Sequence, residues 1–284
     1  MRAFALVLGL IVLGCSSTEP PPEVDPSSQR SLVSGDIVGY AHREREAHVW
    51  KGIPFARPPT AELRWRAPLP PERWDGVRQA IASGNECVQL DMTDPSEIVG
   101  DEDCLVLDVY APRFAAGAVP TGSDRLPVMV WIHGGAFANG TGAAPLYHAA
   151  RIAAQGDVVV VTLNYRVGAW GFLHHQELGP ANRGLLDQIA ALEWVRDHSR
   201  ALGGDPARVT VFGESAGAGS IISLLAMPRA KGLFRRTIVQ SAAPTGMLER
   251  DDATRRAVAL LGQLELTDAS RLCDVPVDAL LDAQ

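Results

Sequence analysis

Val209-Thr210-Val211-Phe212-Gly213-Glu214-Ser215-Ala216-Gly217 runs a β-branched strand into a Gly-x-Ser-x-Gly turn, and Ala216 to Leu225 can continue from the turn as a helix. Alone, Gly-x-Ser-x-Gly is a weak signal, because glycine and serine are common. The strand before it and the helix behind it give it meaning. A sharp strand-to-helix turn forces the serine into a strained conformation and needs small neighbours two positions away, so that Oγ stands exposed at the top of a sheet. The helix N-terminus just behind favours developing negative charge. Ser215 is therefore the candidate nucleophile. The competing reading, a serine with a packing role in a glycine-rich turn, does not account for the strand and helix on either side.

Outward from this turn the chain alternates strands and helices. Leu105–Tyr110, Val128–Ile132 and Thr237–Gln240 are strand candidates. Asp157–Leu163 (DVVVVTL) is a continuous β-branched run, the mark of a strand buried on both faces of a parallel sheet. Leu185, Leu186, Ile189, Leu192 and Val195 form an apolar stripe at helical spacing. Asp251–Leu264 and Val277–Asp282 also read as helices. The pattern predicts an α/β class, with a doubly wound, mostly parallel sheet. Ahead of it, Gly35–Asn85 holds short strand-like pieces with much Pro and Gly. There, Lys51–Pro59 (KGIPFARPP) cannot be helical, since prolines remove donors and restrict their predecessors. It reads as extended chain laid over a core.

Trp131-Ile132-His133-Gly134-Gly135-Ala136-Phe137 follows the Val128–Ile132 strand. Acyl transfer needs backbone N–H donors aimed at a tetrahedral oxyanion. A Gly-Gly-Ala loop lets backbone approach a substrate closely, and the residue after the nucleophile, Ala216, adds a further N–H. His133 reads as a brace for this loop, because the base of such a fold follows the nucleophile in the chain.

The 284 residues are 46% hydrophobic and 21% charged, ordinary for a globular protein with a buried core. A net charge of −7 with scattered arginines offers no basic patch for nucleic acid. Residues 1–14 read as a signal segment: Arg2 is the positive region, and Ala3–Leu13 is an apolar run too short to span a bilayer. Val12-Leu13-Gly14-Cys15 resembles the lipobox of bacterial lipoproteins, which makes Cys15 the lipidation site and a lipid anchor the only membrane contact. The alternative is an ordinary secretory signal; either way the protein is exported, to the bacterial cell envelope or beyond. Residues 15–30 read as a flexible tether rich in Pro, Ser and acid, and the globular part spans residues 31–284. With Cys15 set aside, Cys87 and Cys104 close a short loop whose cross-link would be worth about 3 kcal/mol in the chain-entropy view, leaving Cys273 unpaired. No Cys/His spacing suggests a metal site, and no cofactor is implied.

Several separated segments together resemble the type B carboxylesterase family, which includes the cholinesterases. They are Trp50–Trp65 (WKGIPFARPPTAELRW), Glu102–Tyr110 (EDCLVLDVY, against the family's EDCLYLNVY), WIHGGAF, Asn164–Leu173 (NYRVGAWGFL), Asn182–Val195 and Gly203–Ser220. The resemblance implies an α/β-hydrolase fold and a serine carboxylesterase acting on small-molecule esters. It aligns Ser215 with the acyl-accepting nucleophile, Gly135, Ala136 and Ala216 with the oxyanion donors, and Cys87 and Cys104 with the family's N-terminal disulfide. It places Glu214 in a support network and Ser241 as a buried serine. Arg196-Asp197-His198-Ser199 departs from the family pattern and is expected to alter a surface helix end. Gln263 and Arg271 hold the positions of a second bridge that many members have, so none is expected.

The resemblance also exposes a gap. The triad of this fold runs Ser, then Asp or Glu, then His, yet all seven histidines (His42, His48, His133, His148, His174, His175, His198) precede Ser215. In the family, the acid and histidine lie well beyond the position of Gln284. The expectation is therefore a chain truncated after the nucleophile-bearing half, with an open sheet edge and little activity in isolation, since an unactivated serine is a poor nucleophile. Two other readings use the same parts: a non-catalytic binding protein of the adhesion type, and thioesterase or lactonase chemistry.

Overall fold

Seven strands make the central sheet: β1 (Tyr40–Ala41), β2 (Ala47–Pro54), β3 (Val106–Pro112), β4 (Leu126–Ile132), β5 (Val159–Leu163), β6 (Gly204–Glu214) and β7 (Arg236–Gln240), in spatial order β7-β6-β4-β5-β3-β2-β1. The computed structural model describes residues 21–115, 117–242 and 247–284; the signal segment and Cys15 lie outside them. β7, β6, β4 and β5 run parallel, while β3, β2 and β1 follow antiparallel. All five residues of β5 are buried, as its β-branched run predicts. Its two neighbours differ, however: β4 is parallel to it and β3 antiparallel. The parallel half of the sheet carries the Ser215 turn.

Alternation along the strands separates two cores. Val159 and Val161 pack on one face with Ile189, Leu192 and Val195 of α3 (Arg183–His198) and with Ile221 and Leu224 of α4 (Ala216–Ala226). Val160 and Tyr110 pack on the other face with Ala150 and Ala153 of α1 (Ala150–Gly156). Helices thus cover both faces, the doubly wound α/β arrangement. Of the expected extended segment Lys51–Pro59, residues 51–54 form the second half of β2, an integral strand of the sheet whose Ile53 is fully buried, and residues 55–59 continue beyond the strand.

The expected tether is ordered over its last residues. Pro26–Ser28 forms a 3₁₀ turn capped by Asp25, and Arg30–Leu32 pairs with Gly35–Val38. Ser28 is buried; its carbonyl accepts from Trp50 Nε1 at 2.8 Å and its Oγ accepts from Gly39 N at 2.8 Å. The Pro, Ser and Asp there are turn and cap residues, so composition alone mistook them for linker.

A satellite cluster unites α5 (Arg250–Gln263), the turn Ala269–Cys273 and α6 (Val277–Asp282) with Trp65 and with Trp170 of α2 (Gly168–Phe172). Cys87 and Cys104 form a disulfide, and Cys273 is free and exposed. The Arg196–Ser199 departure reaches further inward than a surface helix end. Arg196 and Asp197 pair in solvent, but His198 is buried, stacks on Trp194 at 4.7 Å and uses Nδ1 to reach Trp194 O at 2.8 Å. Among the described residues β7 is one edge of the sheet and β1 the other, and on β7 Ile238 is 46% and Val239 40% exposed.

Candidate active site

β6 ends at Glu214, and the chain then turns at once into α4. Ser215 stands at that turn with φ 54° and ψ −118°, a conformation that costs an L-residue roughly 1–3 kcal/mol and persists only when its surroundings hold it. Here Ser215 N donates to Gln240 O of β7 at 2.9 Å, and Ser215 O accepts from Gly219 N at 2.9 Å. The small residue demanded two positions on has a direct cause: a β-carbon on Gly217 would fall 2.1 Å from Ile132 O. Ser215 is half-buried and its neighbour Ala216 is buried at the start of α4.

The loop after β4 lies beside this turn. Gly135 (φ 112°), Ala136 (φ 53°) and Phe137 (φ 62°) are consecutive residues with positive φ, so the chain reverses tightly. Gly135 O accepts from both Ala138 N and Asn139 N, at 2.9 and 3.0 Å. Phe137 O accepts from Gly168 N at 2.7 Å, and the Phe137 ring meets Phe172 edge-on. Gly134 touches the nucleophile turn: a β-carbon there would stand 3.3 Å from Ser215 Cβ. Gly135 and Ala136, the next two residues, and Ala216, next to Ser215, follow the parallel neighbours β4 and β6 and so lie at the same end of the sheet.

His133 does not serve Ser215. It is buried, its Nδ1 donates to Gly134 O at 2.8 Å, and its ring stacks on Tyr165 at 4.3 Å. Tyr165 OH donates to His133 O at 2.9 Å. Burial pushes the imidazole pKa down to about 4, so the ring is neutral at pH 7 and Nε2 stays unpartnered. Glu214 is exposed and makes no side-chain hydrogen bond among the described residues. Ser241, expected to be buried, is exposed with φ 54°, because it follows the edge strand β7. No histidine or carboxylate among the described residues hydrogen-bonds Ser215, and none of them form a group of three or more suited to a metal ion.

Two supporting side chains have no obvious local signal in the sequence. Asn164 Oδ1 accepts from Gly142 N at 2.8 Å while its Nδ2 donates to Asn85 O at 2.8 Å, which ties the chain beyond the glycine loop to the end of β5. Gln89, inside the disulfide loop, donates to Gly140 O and accepts from Gly140 N. Asn164 at least lies within the NYRVGAWGFL segment; Gln89 is a lone polar residue whose partner is 51 positions away.

The sequence model described as "Carboxylesterase family" matches residues 24–272. The chain is 50% identical over 229 residues to para-nitrobenzyl esterase of Bacillus subtilis, covering 76% of this chain and 44% of that protein. It is 39% identical over 288 residues to fumonisin B1 esterase of Sphingopyxis macrogoltabida, covering 96% of this chain and 52% of that one. The solved structure titled "PNB esterase" superposes with a TM-score of 0.81 at 46% identity, over 90% of this chain and 53% of its own. The chain thus spans about half the length of the relatives it matches.

Proposed function

The chain belongs to the carboxylesterase family, and from that premise we propose that it is the nucleophile-bearing part of a serine carboxylic ester hydrolase. Ser215 Oγ attacks the ester carbonyl, the oxyanion settles on the N–H groups of Gly135, Ala136 and Ala216, and the alcohol departs to leave an acyl-enzyme. Water then releases the acid. One observation carries this reading: Ser215 is held at φ 54°, directly against the glycine loop that would take the charge. A packing serine would have no reason to keep that strain.

Removal of the Ser215 proton needs a base, and every histidine of the chain precedes Ser215. The acid and histidine belong, on this proposal, to sequence outside these 284 residues, and the chain alone turns over slowly. The substrate class is a carboxylic ester. The Gly-Gly-Ala loop resembles that of members with roomy acyl sites, so bulky esters are included. The proposal extends to export, with Cys15 as a lipidated N-terminus; replacing Cys15 by Ser should release the protein from the membrane fraction.

The test is a fluorophosphonate probe applied to the complete gene product. Labelling confined to Ser215, with hydrolysis of p-nitrophenyl butyrate lost in Ser215→Ala, is the expected result. An unlabelled Ser215, or hydrolysis that survives Ser215→Ala, would overturn the proposal and favour a binding protein on the same fold.

A further inference from the structure

The loop beside Ser215 must hold its donors in place before any charge develops, because preorganisation is what makes such donors effective. Its far end is fixed at Gly140, and the side chain that fixes it comes from another part of the chain. Gln89 is 2% exposed. Its Oε1 accepts from Gly140 N at 2.6 Å, and its Nε2 donates to Gly140 O at 3.1 Å and to Cys87 O at 2.8 Å. One amide therefore satisfies both backbone groups of Gly140, as a neighbouring strand would.

Gly140 in turn bears on the loop's entry. It has φ 111°, and a β-carbon on it would lie 2.5 Å from both Gly134 O and His133 Nδ1. Those two atoms are the partners of the hydrogen bond that braces His133, and Gly134 abuts Ser215. The path from the disulfide to the nucleophile thus runs by hydrogen bonds from Cys87 through Gln89 to Gly140, and then by close backbone approach from Gly140 to His133 and Gly134 and from Gly134 to Ser215. The other ties on the loop, Phe137 O to Gly168 N and Asn164 to Gly142, act at its middle and beyond its end.

We propose that Gln89 is a positioning residue for the oxyanion loop, setting the loop's geometry through Gly140 from the disulfide-closed segment. This rests on the oxyanion reading of Gly135 and Ala136, but the role of Gln89 in ordering the loop can be measured independently of that reading. Gln89→Glu keeps the shape and loses both N–H donors. Gln89→Met keeps the approximate length and loses every hydrogen bond.

The experiment measures, on the complete gene product, hydrogen–deuterium exchange by mass spectrometry together with the concentration dependence of fluorophosphonate labelling at Ser215. In both variants exchange over residues 133–142 should rise about tenfold, the scale of losing a buried hydrogen-bond pair, with β5 and α3 unchanged. The maximal labelling rate should fall by about tenfold at an unchanged half-saturating concentration. Exchange that is unchanged over 133–142, or that rises equally in β5 and α3, would reduce Gln89 to a general packing residue and overturn the proposal. A loosened loop with an undiminished maximal labelling rate would overturn it too. If the complete wild-type gene product shows no labelling at all, the hydrolase reading fails at that step, while the exchange pattern still decides whether Gln89 orders the loop.

Discussion

Gly134 lies so close to Ser215 that a β-carbon on it would stand 3.3 Å from Ser215 Cβ, 2.9 Å from Glu214 Oε2 and 3.0 Å from Glu214 O. The carboxylate is exposed and can swing away; the backbone oxygen and the serine cannot. Gly134→Ala must therefore push the loop off the nucleophile turn. Small misplacements of a reacting group cost on the order of 10²-fold in rate. The expected outcome is a loss of that size in fluorophosphonate labelling of Ser215, with the melting temperature changed by only a few degrees.

Arg64 ties the satellite cluster to the main core. It donates to both Glu102 oxygens, at 2.7 and 2.8 Å, and through Nη1 to the carbonyls of Leu272, Cys273 and Val275. Trp170 Nε1 donates to the same Glu102 at 2.8 Å. Removing one member of a buried pair costs about 3–5 kcal/mol, because the other charge is left unpaired. Arg64→Met should lower stability by that order, and residues 264–284 should lose hydrogen-exchange protection first. Arg57 pairs with Glu72 at 3.5 Å in solvent, so Arg57→Met should cost about 0–1 kcal/mol. Equal effects from the two would show that Arg64 does not anchor the cluster.

Legibility in the sequence follows how local the determining contacts are. β5 was readable because Val159–Leu163 is buried throughout and its composition says so. The serine turn was readable because close approach to Ile132 O restricts Gly217 to glycine, a constraint that leaves its mark within the motif. The antiparallel half of the sheet was not readable, since nothing in Val106–Pro112 states the direction of its neighbours. Asp25–Arg30 looked like linker because turn-capping residues and disordered tethers share a composition. Gln89 left no local signal, as Cys87 in the disulfide loop and Gly140 across the fold both satisfy its side chain through backbone atoms, which any residue type supplies.

Four histidines set an acid limit: burial lowers His48 and His198 as well as His133 and His148. His133 and His148 are both held down to about 4, in each case first by burial; for His148, Lys51 and His42 add to the effect. A histidine whose folded pKa lies below its unfolded value of 6.5 takes up its proton more readily in the unfolded chain. Its contribution to stability is complete above pH 6.5 and is lost as pH falls towards 4. Carboxylates with lowered values, such as Asp25 and Asp205, act below their ordinary 3.8 and so outside this window. The melting temperature should decline between pH 6.5 and 4, and His148→Phe should flatten part of that decline. Parallel pH profiles for the variant and the wild type would show that His148 does not contribute.

Asp108 reverses that dependence. It is 3% exposed, accepts from Gly52 N at 2.9 Å and from Ser83 Oγ at 2.9 Å, and burial raises its pKa. A carboxyl raised in the folded state is easier to keep neutral there, so its contribution is most favourable below the unfolded value of 3.8 and is lost as pH rises through the folded one. Asparagine can keep this geometry: Oδ1 accepts from Gly52 N, Nδ2 donates to Ser83 Oγ, and no charge is buried. The family segment that Glu102–Tyr110 resembles carries asparagine at this position. Asp108→Asn should therefore raise the melting temperature at pH 7, with the gain shrinking as pH is lowered towards 3.8. A variant less stable than wild type at pH 7 would mean that the ionised carboxylate's two hydrogen bonds outweigh its desolvation.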